Sequence, residues 1–185
     1  MNCAWSNCIA KAASVGLLCS AFAAAQGGSS PQTDAGSTKM MKSADTKFAT
    51  SAAQGGMAEV QLGQLAVQKG TNPDVKAFGQ HMVDDHTKAN EELKDVAGKE
   101  GVTLPSGLNG KDQALMTKLQ NLSGAQFDQA YIKAMVKDHE EDVKEFQKEA
   151  NTGKDPQLKE FASKTLPILQ SHLDKAKSVE SSLGK

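Results

Sequence analysis

The chain has 185 residues, with 21 basic and 22 acidic side chains, four histidines and a formal net charge of −1. Charges of both signs are mixed along the chain, so it has neither the basic patch expected of a nucleic-acid-binding protein nor the polybasic segment expected at an anionic membrane. We therefore expect no nucleic-acid partner, and the sequence does not identify a protein partner. A homo-oligomer is compatible with it.

Residues 1–25 have the order of a secretory signal peptide. Lys11 precedes an apolar run that ends in three alanines, residues 23–25, which form a small-residue cleavage site. The run is shorter than the roughly 20 residues that span a bilayer, so an uncleaved anchor is the less favoured alternative. Lipidation of Cys19 stays open, although Leu18 before it is bulky. We predict a periplasmic or secreted protein, with association with the outer membrane left open.

Cleavage would remove every cysteine of the chain, because all three lie in the predicted signal peptide: Cys3, Cys8 and Cys19. The mature chain would then have no disulfide, no thiolate metal site and no transmembrane segment. Residues 26–44 are rich in Gly, Ser, Thr and Ala and poor in apolar bulk, which predicts a disordered linker. Residues 45–185 are predicted to form one domain.

This domain is predicted to be all-α: an antiparallel four-helix bundle of the ferritin-like kind. Asn72-Pro73 and Asp155-Pro156 are each a capping residue followed by proline, which predicts helix starts. Ser123 and Gln126 have the spacing of a capping box for the third long helix. The connections within the first and last helix pairs are short. The connection between the second and third long helices is longer, contains a short amphipathic turn, and is expected to cross the bundle.

One ionisable residue lies in the middle of the apolar face of each long helix. Counting from the loops at about 1.5 Å per residue puts all four at similar heights, so we expect them to converge at mid-bundle. The four residues are Glu59, His86, His139 and His172.

Such a cluster has two interpretations. Three imidazoles and a carboxylate are ligands for a divalent transition metal (zinc, copper or iron), with Asp85 and Asp138 as additional ligands or as hydrogen-bond partners of the ligands. Alternatively, the four groups form a hydrogen-bonded polar layer that only sets helix register. Metal buffering or stress protection would follow from the first interpretation, and a structural or interaction module from the second.

Several ordered motifs resemble a bacterial family of unknown function whose members are often labelled predicted outer-membrane or secreted proteins. The resemblance covers about residues 47–183 and rests on these segments: Gly55-Gly56-Met57-Ala58-Glu59-Val60, Phe78 to Asp85-His86, Phe127-Asp128 with Tyr131, Asp138-His139, and Leu166-Pro167 with His172. It implies a ferritin-like fold and an envelope location but no activity.

The chain departs from carboxylate-bridged di-iron proteins, which use Glu-x-x-His on two of their helices. The residues three positions before the central histidines are Val83, Val136 and Leu169. A di-iron oxidase is therefore poorly supported, and an oxidoreductase is the weakest of the functional hypotheses. No catalytic residues are predicted, since the sequence has no nucleophile motif or phosphate-binding loop.

Overall fold

The computed structural model describes residues 43–184, which form five α-helices. The predicted signal peptide, Cys19 and nearly all of the predicted linker lie outside the described residues. The helices are α1 (Ser43–Lys69), α2 (Pro73–Lys99), α3 (Gly110–Gln120), α4 (Gly124–Thr152) and α5 (Pro156–Leu183). No helix in this part of the chain is both long and apolar enough to cross a membrane.

The helix starts follow the predicted caps with one exception. The side chain of Asn72 accepts hydrogen bonds from the backbone N–H groups of residues 74 and 75, and that of Asp155 accepts from residues 157 and 158. Each cap satisfies N–H groups that have no partner within the helix. Ser123 also begins a helix, but its side chain makes no capping hydrogen bond, so the predicted capping box is wrong in that detail.

The four long helices form two antiparallel hairpins, α1–α2 and α4–α5, joined by one long crossing connection. Glu100, just after α2, accepts a hydrogen bond from Gln157 in the first turn of α5. Asp128, in the first turns of α4, instead lies beside Thr71 at the opposite end. Residues 100–123 therefore run the length of the bundle, with α3 packed against α1 and α4. The predicted all-α bundle is confirmed, and two hairpins with one crossover is the topology of ferritin-like bundles.

Each hairpin loop is capped by an aspartate from the other hairpin. Asp128 on α4 accepts hydrogen bonds from the backbone N–H groups of Thr71 and Asn72, at 3.0 and 2.9 Å. Asp45 on α1 accepts from the backbone N–H groups of Lys154 and Asp155, at 3.1 and 3.0 Å. The aspartates, the loop glycines (70 and 153), the caps and the prolines all recur at an offset of 83 residues. The two hairpins therefore repeat each other in structure as well as in sequence.

The apolar core is divided into two clusters by a central polar layer. The cluster at the α1–α2 loop end includes Phe78, Phe127 and Tyr131, and the one at the α4–α5 loop end includes Phe48 and Phe161. On α5, Ile168 is 44% exposed, whereas its neighbour Leu169 is buried.

Candidate metal centre

Close contact between α1 and α2 brings their polar residues together. A Cβ atom on Gly63 would lie 2.6 Å from the carbonyl oxygen of Gly79, and one on Gly56 would lie 2.1 Å from Oδ1 of Asn90. A larger residue at position 63 would therefore press against the backbone of α2, whereas one at position 56 would displace the Asn90 side chain. These contacts flank Glu59 on α1 and explain why glycines, which are unfavourable within a helix, occur there.

The four predicted residues meet in the middle of the bundle. Glu59, His86, His139 and His172 are all buried, with His139 fully inaccessible to solvent. The three histidines offer ring nitrogens within 4.8 Å of one another. The height estimates from the loops thus place all four residues correctly, each on a different helix.

The tautomer of His139 follows from its hydrogen bond to the backbone. Its Nδ1 lies 3.0 Å from the carbonyl oxygen of Met135. A carbonyl oxygen can only accept, so Nδ1 carries the hydrogen and donates it. The other ring nitrogen, Nε2, then has a lone pair that faces the centre of the cluster.

His172 is oriented in the same way by a carboxylate. Its Nε2 donates to Oδ2 of Asp85 at 3.0 Å, which leaves a lone pair on Nδ1. This Nδ1 lies 3.4 Å from Nε2 of His139. Asp85 therefore makes the contact expected of a residue that supports a metal ligand. Its carboxylate holds one side of the His172 ring, so that the other side faces the cluster.

His86 is held by Glu59. Its Nδ1 donates to Oε2 of Glu59 at 2.8 Å, and its Nε2 is buried with no hydrogen-bond partner. Each of the three histidines thus donates one N–H to an oxygen and keeps its second nitrogen free of such a bond. This is the usual arrangement around metal-ligating histidines, in which a carboxylate or carbonyl fixes the ring and raises its basicity.

The second oxygen of Glu59 also faces the cluster. Oε1 lies 3.3 Å from Nε2 of His139 without the geometry of a hydrogen bond. With Nδ1 of His139 protonated, both facing atoms bear lone pairs, so the contact is favourable only with a cation or a proton between them. Tetrahedral ligands around zinc, at about 2.0–2.1 Å from the metal, are about 3.3–3.4 Å apart, which matches this distance and the one between His139 and His172.

Burial and the Glu59 charge act in opposite directions on the pKa values of the cluster. Burial alone would raise the pKa of Glu59 and lower that of His86, but their mutual attraction outweighs it, so the pKa of Glu59 is lowered and that of His86 raised. Burial lowers the pKa of His139, and it lowers that of His172 to about 4. Without a metal, a Glu59–His86 ion pair therefore lies beside two neutral imidazoles at neutral pH.

A second acidic group adjoins Glu59 on the α4 side. Asp138, Asp142 and Glu59 offer carboxylate oxygens within 4.8 Å of one another. Asp138 is 3.5 Å from Nζ of Lys111, and burial raises its pKa to about 6. Asp138 thus lies near the cluster as predicted, but beside Glu59 rather than among the histidines. Sequence reasoning missed Asp142, although its spacing of three residues from His139 put it on the same helix face.

Some polar residues lie outside the cluster. His81 is exposed. Glu140 and Glu141 form ion pairs on the surface with Lys177 and Lys111, at 2.9 and 2.8 Å.

Residues 30–179 match a protein family described as Domain of unknown function (DUF4142). The chain belongs to the DUF4142 family. The resemblance to a family of unknown function is thereby confirmed, while the outer-membrane label that accompanied it stays a prediction. No curated protein sequence matches the chain.

Two solved structures have a similar fold. A crystal structure of a DUF305 fragment from Deinococcus radiodurans matches with a TM-score of 0.67 and 12% sequence identity, over 78% of this chain and 98% of that one. CopM, solved in a Cu(I)-bound form, matches with a TM-score of 0.60 and 16% identity, over 72% of this chain and 93% of that one. At these identities the similarity concerns the fold alone.

Proposed function

We propose that this DUF4142 protein binds one transition metal ion in the middle of its bundle. The ligands are Nε2 of His86, Nε2 of His139 and Nδ1 of His172, and Glu59 holds the His86 ring through its Nδ1. The observation that carries the proposal is the hydrogen-bonding pattern of the rings. His139 and His172 each donate one N–H to an oxygen, and their other nitrogens face each other at 3.4 Å. Nε2 of His86 is buried without a partner in the same group of three histidines.

The donor set narrows the choice of metal. Imidazole nitrogens suit zinc, copper and iron, whereas Mg²⁺ and Ca²⁺ prefer oxygen ligands. CopM shares the fold and was solved with Cu(I) bound, which makes copper the first metal to test beside zinc. Metal buffering or protection from metal stress is the role we favour for this ion.

A polar layer that only sets helix register is the alternative. In such a layer the buried polar atoms would be paired with one another. Here Nε2 of His86 and Oε1 of Glu59 are buried without a hydrogen-bond partner. Each unpaired buried atom costs about 1–3 kcal/mol, so a layer built only for stability would be expected to avoid them. A metal ion among the histidines would coordinate Nε2 of His86, and its positive charge would stabilise the nearby Glu59 carboxylate.

Export is a separate part of the proposal. It is supported by the order of residues 1–25, a basic residue, an apolar run and an alanine-rich cleavage site. It places the metal site in the periplasm or outside the cell. Mass spectrometry of the protein from a periplasmic extract should give an N-terminus at residue 26, and an intact N-terminus in the cytoplasmic fraction alone would contradict export.

Metal content and affinity test the central proposal. Purified residues 26–185, loaded with zinc or copper and passed through a desalting column, should retain about one equivalent of metal. His139→Ala should retain almost none, while the exposed His81→Ala should retain as much as the wild type at equilibrium. Two results would contradict the metal site and favour a polar layer that only sets helix register. One is retention below about a tenth of an equivalent by the wild type, and the other is full retention by His139→Ala.

A further inference from the structure

The buried cluster has a surface cleft beside it. This cleft has a volume of about 430 Å³ and lies between α2 and α5. The residues that line it are His81, Asp85, Pro167, Ile168, Ser171, His172 and Lys175. Two of them, Asp85 and His172, belong to the hydrogen-bonded network of the metal centre, so the cleft connects the network to solvent.

The cleft brings an exposed histidine and a carboxylate to its mouth. His81 and Asp85 are four residues apart on α2, and therefore lie on the same face of that helix. The Asp85 side chain is 35% exposed, in contrast to the buried Glu59. An imidazole and a carboxylate at this spacing can share a metal ion whose remaining ligands are water molecules.

His172 lies between the mouth and the buried space. Its Nε2 faces Asp85 on the cleft side and its Nδ1 faces His139 on the inner side. The hydrogen bond to Asp85 holds the ring in this orientation. A cation bound to Asp85 weakens the carboxylate as a hydrogen-bond acceptor, which frees the ring to rotate and open the path inwards.

We infer that the metal ion reaches the buried site through this cleft, where His81 and Asp85 capture it and His172 acts as the gate. This inference rests on the proposed function and adds to it a loading route and a capture residue, His81, that makes no contribution to the final site. Two ammonium groups oppose capture, since each repels a cation: Lys175 lines the cleft, and Nζ of Lys88 lies 3.8 Å from Oδ1 of Asp85.

The rate of metal loading separates the capture role from the final site. Stopped-flow measurements with zinc and a competing fluorescent chelator give the association rate, and equilibrium competition gives the affinity. His81→Ala should load about tenfold more slowly than the wild type with unchanged equilibrium affinity, because local charge and ligand density raise association rates by about 10-fold or more. Lys175→Gln should load faster. Gln80→Ala, an exposed neighbour on α2 outside the cleft, should load at the wild-type rate.

Each outcome decides between the two proposals. Wild-type loading rates in both His81→Ala and Lys175→Gln, with normal equilibrium binding, would overturn the loading route and leave the metal site intact. A lower equilibrium affinity in His81→Ala would also overturn it, since His81 would then be a ligand of the final site. Absence of equilibrium binding in the wild-type protein would overturn the proposed function, and the loading route with it.

Discussion

Nε2 of His139 and Oε1 of Glu59 lie 3.3 Å apart at the centre of the bundle, and no hydrogen bond joins them. The hydrogen bond from Nδ1 of His139 to the Met135 carbonyl explains this, because it leaves only a lone pair on Nε2. A fully buried imidazole and a carboxylate thus face each other with lone pairs, an arrangement that a bound cation would stabilise.

Removing the carboxylate behind His172 should weaken metal binding without removing a ligand. Asp85→Ala deletes the acceptor for Nε2 of His172, so the ring loses its fixed tautomer and orientation. Changes to such supporting residues lower metal affinity by about 10–100-fold. Asp85→Asn keeps an acceptor oxygen and should give an intermediate loss. Competition titrations measure the metal affinity of each variant, with the exposed Asp84→Ala as the control. Unchanged affinity in Asp85→Ala would show that His172 needs no such support.

Metal binding should release about one proton per ion near neutral pH, because only one of the three ligating histidines is protonated beforehand. The pKa of His86 is raised by Glu59, so it starts charged, while the lowered pKa values of His139 and His172 leave them neutral. Affinity should therefore increase with pH until the pKa of His86 is passed, and then level off. Calorimetry in buffers of different ionisation enthalpy counts the protons. Release of none, or of three, would contradict the assigned protonation states.

Loss of an interhairpin cap should destabilise the fold. Asp128→Ala leaves the backbone N–H groups of Thr71 and Asn72 without their acceptor. Two or three hydrogen bonds to a buried carboxylate should cost about 3 kcal/mol of unfolding free energy. Asp45→Ala should have a similar effect at the opposite end. Urea unfolding measures both, with the exposed Asp174→Ala as a control within about 0.5 kcal/mol of the wild type. Wild-type stability in Asp128→Ala would show that the loop needs no cap.

Glu149 should make stability fall as pH rises. Burial, together with Asp45 and Asp155, raises its pKa to about 7 in the folded protein. The folded state therefore holds this proton more tightly than the unfolded state, whose pKa is near the usual 4.5. Its contribution to stability is present below that value and is lost as pH rises to about 7. Glu149→Gln should consequently be more stable than the wild type at pH 8, with the gain disappearing at pH 4.

The difference in stability between Glu149→Gln and the wild type should thus depend on pH rather than stay constant. Thermal unfolding across this pH range measures it, and the exposed Glu180→Gln is a suitable control. An equal difference at pH 4 and pH 8 would indicate a packing effect of the substitution instead of a titration.

Local signals in the sequence were sufficient to predict the helices and the height of the polar residues. Asn72-Pro73 and Asp155-Pro156 act within a few residues, and the regular rise of an α-helix converts residue counts from these loops into positions along the bundle. For this reason Glu59 and the histidines could be brought to one level before any contact was known.

The contacts between helices could not be predicted in this way. The roles of Asp45 and Asp128 depend on loops that are more than 50 residues away in sequence. The neighbouring positions Ile168 and Leu169 differ in burial because the buried stripe of α5 runs through positions 162, 165, 169, 172 and 176, and position 168 lies beside it. Which nitrogen of each histidine is free depends on its partner in the folded chain, and spacing along one helix does not contain that information.

An anomalous-scattering crystal structure of the zinc- or copper-loaded protein tests the central claim most directly. We expect one anomalous peak in the middle of the bundle, within about 2.0–2.2 Å of Nε2 of His86, Nε2 of His139 and Nδ1 of His172. The hydrogen bonds from His139 to Met135 and from His172 to Asp85 should be retained. A loaded crystal with no peak between these histidines, or with its peak only at surface carboxylates, would contradict the account.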